Sequence, residues 1–264
     1  MRKIFLLFLG IFFLCTGIVQ ASNITIDDKN SSSTTGWYGQ QEDNEVEPGM
    51  IANQSWDLEG FFLNKISNKY MLSLVGGYDF KNGNSGYTSG DIFIDINGNA
   101  VYGDIHGPQA QNDNLPVLNN YGYDYVLDLN WTGMTYDVYK IDNTSMVQTA
   151  YYIQNQGSSP WQYVSGGRKI SGGTPLAYNT TASAYDAIFS GGIGSHRELT
   201  VDLNFLLTEN PGLDHINFIA HYTMGCGNDN IMGQGTIPNP EPATLLLLGF
   251  GLLGVAGLGR KKLS

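Results

Sequence analysis

Cysteine is nearly absent from this chain, and that sets the first limit on how it is held together. Of the two cysteines, Cys15 lies inside an apolar N-terminal run and leaves with it, so Cys226 alone remains and no intramolecular disulfide can form. Cations are scarce as well. The chain has 13 basic and 24 acidic side chains; Arg2, Lys3, Arg260, Lys261, Lys262 and the single acid Glu241 sit in the two terminal segments, leaving the body 8 basic against 23 acidic residues, net −15. Such a surface repels nucleic acid and anionic membrane, which excludes both as partners of the body. Lysine, alanine and glutamate are few, and outside the ends no stretch carries a helical period and no segment repeats. What is abundant instead is glycine, asparagine, serine, threonine and tyrosine, a composition that favours short strands joined by turns.

The two ends read as addresses. Arg2 and Lys3 precede an apolar run from Ile4 to Val19, and Val19-Gln20-Ala21 offers small-residue cleavage chemistry before Ser22, so residues 1–21 are expected to be a secretory signal peptide. Leu14 precedes Cys15 where a lipoprotein signal needs a small residue. At the other end, Pro240-Glu241-Pro242-Ala243-Thr244 leads into an apolar run that closes on Arg260-Lys261-Lys262. Ala243 to Gly259 is 17 residues without charge; as a helix it spans roughly 25 Å, just enough to cross a bilayer core. The cations hold its end in the cytoplasm, which places the Pro-Glu-Pro on the outer face of the inner membrane as an extended segment. A plain C-terminal anchor or a buried core helix is the alternative for the apolar run taken alone.

These three parts, in this order and spacing, resemble the PEP-CTERM sorting signal, the C-terminal tag handed to a membrane enzyme called exosortase. The resemblance covers residues 237–264 only. It implies that exosortase recognises Pro240, Glu241 and Pro242, and that the transmembrane helix 243–259 is removed or replaced. It further implies export by the secretion machinery, a transient stay in the inner membrane as an anchored precursor, and an end point at the cell surface or in an extracellular matrix of exopolysaccharide and biofilm.

Between the addresses, residues 22–50 form a polar leader with the acidic cluster Glu42, Asp43, Glu45 and Glu47, and residues 51–236 are expected to be one all-β domain. At least eight short strands with regular turns suggest a two-sheet antiparallel β-sandwich, jelly-roll-like. The clearest local signal is Asp91 to Ile105, where Asn97-Gly98 predicts a tight hairpin. Its register puts Ile92, Ile94, Ile96 and Val101 on the core face and Asp91, Phe93, Asp95, Tyr102 and Asp104 on the other. Tyr121, Tyr123, Tyr125, Leu127 and Leu129 alternate onto one face, Ser165 to Ala184 reads as a large surface loop or loose edge, and two long strands follow, Arg197 to Phe205 and Asp214 to Met224. In the last, Ile216, Phe218, Ala220, Tyr222 and Met224 are expected to point inward, with His215, Asn217, His221 and Thr223 outward.

Candidate chemistry is thin. Asp91, Asp95 and Asp104 on one hairpin face are the candidate metal ligands, with calcium as the ion because it takes several oxygens; the plain alternative is an acidic solvent-facing strand. His215 and His221, six apart on one strand, lie about 20 Å from each other and cannot share zinc. His221 to Asp229 resembles a His-x-Thr-Met-x-Cys-Gly-Asn-Asp stretch in PEP-CTERM proteins of unknown activity. Cys226 there is a candidate reactive or intermolecular thiol, or else a buried one. Trp37, Trp56, Trp131 and Trp161 could stack sugars if exposed, or fill the core. The expectation is therefore an exported structural or adhesive surface protein and not an enzyme. It has no catalytic residues and no cofactor unless calcium. A carbohydrate-binding module is the runner-up, with a secreted hydrolase, which would need paired carboxylates in a cleft, behind it.

Overall fold

In the segment His215–Thr223 the side chains of Ile216, Phe218, Ala220 and Tyr222 are all buried against one layer, and those between them point the other way, exposed at Asn217 and buried at His221. The same period-two division in the central strands sets which side chains enter the layer between the sheets. The computed structural model describes residues 21–26, 46, 50–101, 114–152, 158–189, 191–192 and 194–239. A five-stranded sheet has the order β1 (Ser22–Asn23), β3 (Leu58–Ile66), β4 (Lys69–Gly76), β13 (Arg197–Asp202), β12 (Ala177–Asn179). Facing it is a seven-stranded sheet, β11 (Arg168–Pro175), β8 (Thr135–Lys140), β7 (Tyr125–Asn130), β5 (Ile92–Asp95), β14 (His215–Thr223), β15 (Asn230–Pro238), β2 (Thr25–Ile26). Every paired strand is antiparallel to its neighbour. The all-β antiparallel sandwich read from the sequence is the fold.

The main core lies between these sheets. Leu72 and Leu74 of β4 and Leu199 and Val201 of β13 meet Ile92 and Ile94 of β5, Tyr125 and Leu127 of β7, and the inward row of β14. Each such aliphatic side chain, wholly withdrawn from water, contributes about 1.5–3 kcal/mol. Both sheets also have covered outer faces. A small third sheet, β10 (Gln162–Ser165), β9 (Met146–Gln148), β6 (Pro116–Leu118), lies over part of the seven-stranded one, with Phe93, Tyr121, Tyr123, Val126, Ile141 and Val147 buried in a second core. On the far side Phe62 and Val75 are capped by Ala182, Tyr185 and Phe189.

Several expectations change. The Asn97-Gly98 hairpin does not form. Both edges of β5 are already taken, by β7 and by β14, so no slot remains for a returning strand, and after the turn Val101 donates its N–H to the Tyr121 carbonyl. Strand β7 begins only at Tyr125, so the tyrosine alternation does not run back across residues 121–124. As a result Tyr121 and Tyr123 enter the second core while Tyr125 and Leu127 enter the first. Ser165 to Ala184 is mostly two strands, β11 and β12, each at the edge of a sheet, where exposure removes the need for apolar alternation. The strand from Arg197 stops at Asp202, and Phe205–Glu209 forms a short helix, α1. Within the leader, β1 and β2 pair onto β3 and β15, so residues 22–26 extend both sheets.

Candidate functional site

The aspartates proposed for calcium are engaged by the backbone. Asp91, 2% exposed, accepts the N–H of Leu129 on β7 at Oδ1 and that of Tyr163 on β10 at Oδ2, both 2.8 Å, and so staples the small sheet to the large one. Burial, with Asp128 nearby, pushes its carboxyl up to about 8 against those two hydrogen bonds. Asp95, 1% exposed, takes the N–H groups of Asn97 and Gly98 at Oδ1 and of Ala100 at Oδ2, 2.8 to 3.0 Å, and thereby builds the turn itself. Asp124 completes it, accepting from the Ile96 N–H and from Asn97 Nδ2. Asp91 and Asp95 do share a face, as expected, but that face is sealed under the third sheet rather than open to solvent. Asp104 lies outside the described residues. Among the described residues no group of three or more His, Cys, Asp or Glu side chains is arranged to hold a metal ion.

Cys226 is a core thiol. It is 1% exposed and shares the main core with Tyr78, Tyr222 and Met224, and burial pushes its thiol up to about 11, which favours the protonated form at neutral pH. The rest of its motif fastens the chain. Asn228 Oδ1 accepts the Ile51 N–H and its Nδ2 donates to the Ile51 carbonyl; Asp229 Oδ2 accepts the Leu58 N–H at 2.6 Å; Thr223 Oγ1 donates to the Asp229 carbonyl. His221 is fully buried, its ring stacked on Tyr123 with centroids 5.6 Å apart, and burial lowers it to about 3, which keeps it neutral. The expectation that it faces solvent fails because Tyr123 and Phe93 pack on that side of β14. His196 is buried too. Its Nδ1 meets Asp186 Oδ1 at 2.7 Å and its Nε2 meets Glu59 Oε1 at 3.2 Å, a link between β3 and the cap that sequence spacing could not reveal. Pairing with His196 holds the Asp186 carboxyl below its usual range.

The tryptophans do not form an exposed row. Trp56 and Trp161 are buried, Trp37 lies outside the described residues, and Trp131 is half-buried at the tip of the β7–β8 hairpin beside Tyr178, ring centroids 5.3 Å apart. Trp131 borders an open depression of about 410 Å³ whose other walls are Asp128, Leu129, Asn130, Thr132, Thr135 and Asp137. Pairing sets Asp128 opposite Asp137 and Asn130 opposite Thr135. Lys169 Nζ, 2.5 Å from Asp137 Oδ2, and the Gly173 N–H hold the Asp137 carboxyl low, whereas burial, then Asp137, hold Asp128 high. A second depression, about 220 Å³, lies where Asp95 and Asn97 meet Asn217, Ile219 and Gln234.

Residues 240–261 match the PEP-CTERM protein-sorting motif. The tail is a PEP-CTERM sorting motif. A PEP-CTERM tail marks an exported protein processed by exosortase, made as a membrane-anchored precursor and ending at the cell surface or outside the cell. The motif, including Pro240, Glu241 and Pro242, and the apolar run 243–259 lie outside the described residues. No curated protein and no solved structure matches the chain.

Proposed function

We propose that the body is a non-catalytic structural or adhesive component of an extracellular polysaccharide matrix or biofilm, working without a cofactor. One observation carries this reading. The side chains that looked reactive in an exported, exosortase-processed chain, Asp91, Asp95, His221 and Cys226, are built into the fold as staples, turn formers and core. The secretion machinery brings the body across the inner membrane, and the polysaccharide is its lasting partner. In fractionated cultures the protein is expected with the matrix, and in the medium when polysaccharide export is disabled; retention in the inner membrane of both strains would refute the reading.

A second reading, a secreted hydrolase, is favoured by one feature. Asp128 and Asp137 face each other with their carboxyls pushed in opposite directions, the pattern an acid and its partner carboxylate require. Against it, both oxygens of Asp137 are already occupied, by Lys169 and by the Gly173 N–H. Release of reducing sugar from a bound polysaccharide would decide for the hydrolase.

A further inference from the structure

We propose that the outer face of the β7–β8 hairpin binds a neutral polysaccharide chain, a reading that rests on the matrix role above and names the surface that would carry it. The hairpin places Asp128 and Asp137, then Asn130 and Thr135, in consecutive cross-strand pairs on one face. The face is bounded at one end by Trp131 and at the other by Tyr139, which stacks on Tyr163 with centroids 4.7 Å apart and planes 26° from parallel. From Tyr139 to Thr135 the strand advances about 13 Å, room for a short stretch of sugar chain. Polar groups between aromatic side chains suit a ring that is apolar on its C–H faces and hydroxylated at its rim.

The charges choose among ligands. The Lys169 ammonium already sits on Asp137 and neutralises it, which weakens the pair as a seat for a divalent cation. Asp128 is left beside it, partly desolvated, with no hydrogen-bond donor reaching it among the described residues. It can accept from a hydroxyl. An anionic sugar would meet Asp128 and the strongly acidic body around it, so the site selects a neutral glycan over a uronate.

Native gels containing hydroxyethyl cellulose, galactomannan, a soluble β-1,3-glucan or polygalacturonate test this on the exported protein. At least one neutral polysaccharide is expected to retard it, polygalacturonate to leave it unretarded with or without calcium, and Trp131→Ala and Asp128→Asn to weaken retardation roughly tenfold. Asn217→Ala, in the other depression, should bind as wild type. Thermal melting checks each variant, and Asp128→Asn, which preserves shape and strand pairing, decides the matter if Trp131→Ala does not fold. Failure of every neutral polysaccharide to retard, full retardation of folded Asp128→Asn, or retardation by polygalacturonate alone would each overturn the site. Matrix fractionation separates the two claims: wild-type protein that is held in the matrix yet is retarded by no neutral polysaccharide overturns this site and leaves the matrix role standing, and protein absent from the matrix overturns both.

Discussion

Two pairs of aspartates lie on the same side of the seven-stranded sheet and have opposite fates. Asp91 and Asp95 are covered by the third sheet and between them accept five backbone N–H groups. Asp128 and Asp137 lie beyond the cover, beside a lysine and an open depression. Residue type and face are the same, so what separates structure from recognition here is where the cover ends. A buried carboxylate has to be saturated by the fold, while a half-exposed one can leave a lone pair for a ligand.

That contrast can be broken by mutation. Asp95→Ala would orphan three N–H groups within the turn and should cost about 3 kcal/mol or more in urea unfolding. Asp91→Asn acts through pH. The Asp91 carboxyl stands at about 8 in the folded protein against an ordinary 3.8, so the folded state keeps a proton that the unfolded chain releases. Its contribution is fully present below the lower value and is lost as the pH climbs to the upper one. Stability measured across that window should fall less steeply in Asp91→Asn than in wild type; an unchanged slope would remove Asp91 from the account. Asp137→Asn loses its exposed lysine pair and should cost only about 0.5–1 kcal/mol. Smallest of all, Asp128→Asn relieves a like-charge pair across the strands and should leave stability within about 0.5 kcal/mol of wild type, on the stable side.

The sequence was informative where a single rule applied and silent where layers met. The inward row from Ile216 to Met224 follows from period-two alternation, and those residues are buried as that rule demands. Asn97-Gly98 does make a turn, yet the pairing it implies is decided by which strands flank β5, and those come from residues 125–130 and 215–223. Hence Asp91 and Asp95 were placed correctly on a shared face and wrongly in solvent, because nothing local announces the third sheet. Asp124 and Asp128 fall between the alternating Tyr123, Tyr125, Leu127 and Leu129 and so lie on the opposite face. Their differing roles depend on cover supplied by residues 116–118, 146–148 and 162–165, three separate segments that must first pair into a sheet. The His196 link was illegible for the same reason, since Asp186 is 10 residues from His196 but its other partner, Glu59, lies on β3, far back along the chain. The sorting motif, by contrast, is a linear signal read by an enzyme, and a linear reading suffices for it.

The account's central claim is that a rigid β body is delivered outside the cell by processing at its tail. Intact mass spectrometry of the protein extracted from the surface of cells with and without exosortase tests it most directly. The account predicts a product that ends near Pro240 in the first strain and one that retains the apolar run 243–259 in the second. The same intact C-terminus in both strains would make this a tail-anchored membrane protein and contradict the account.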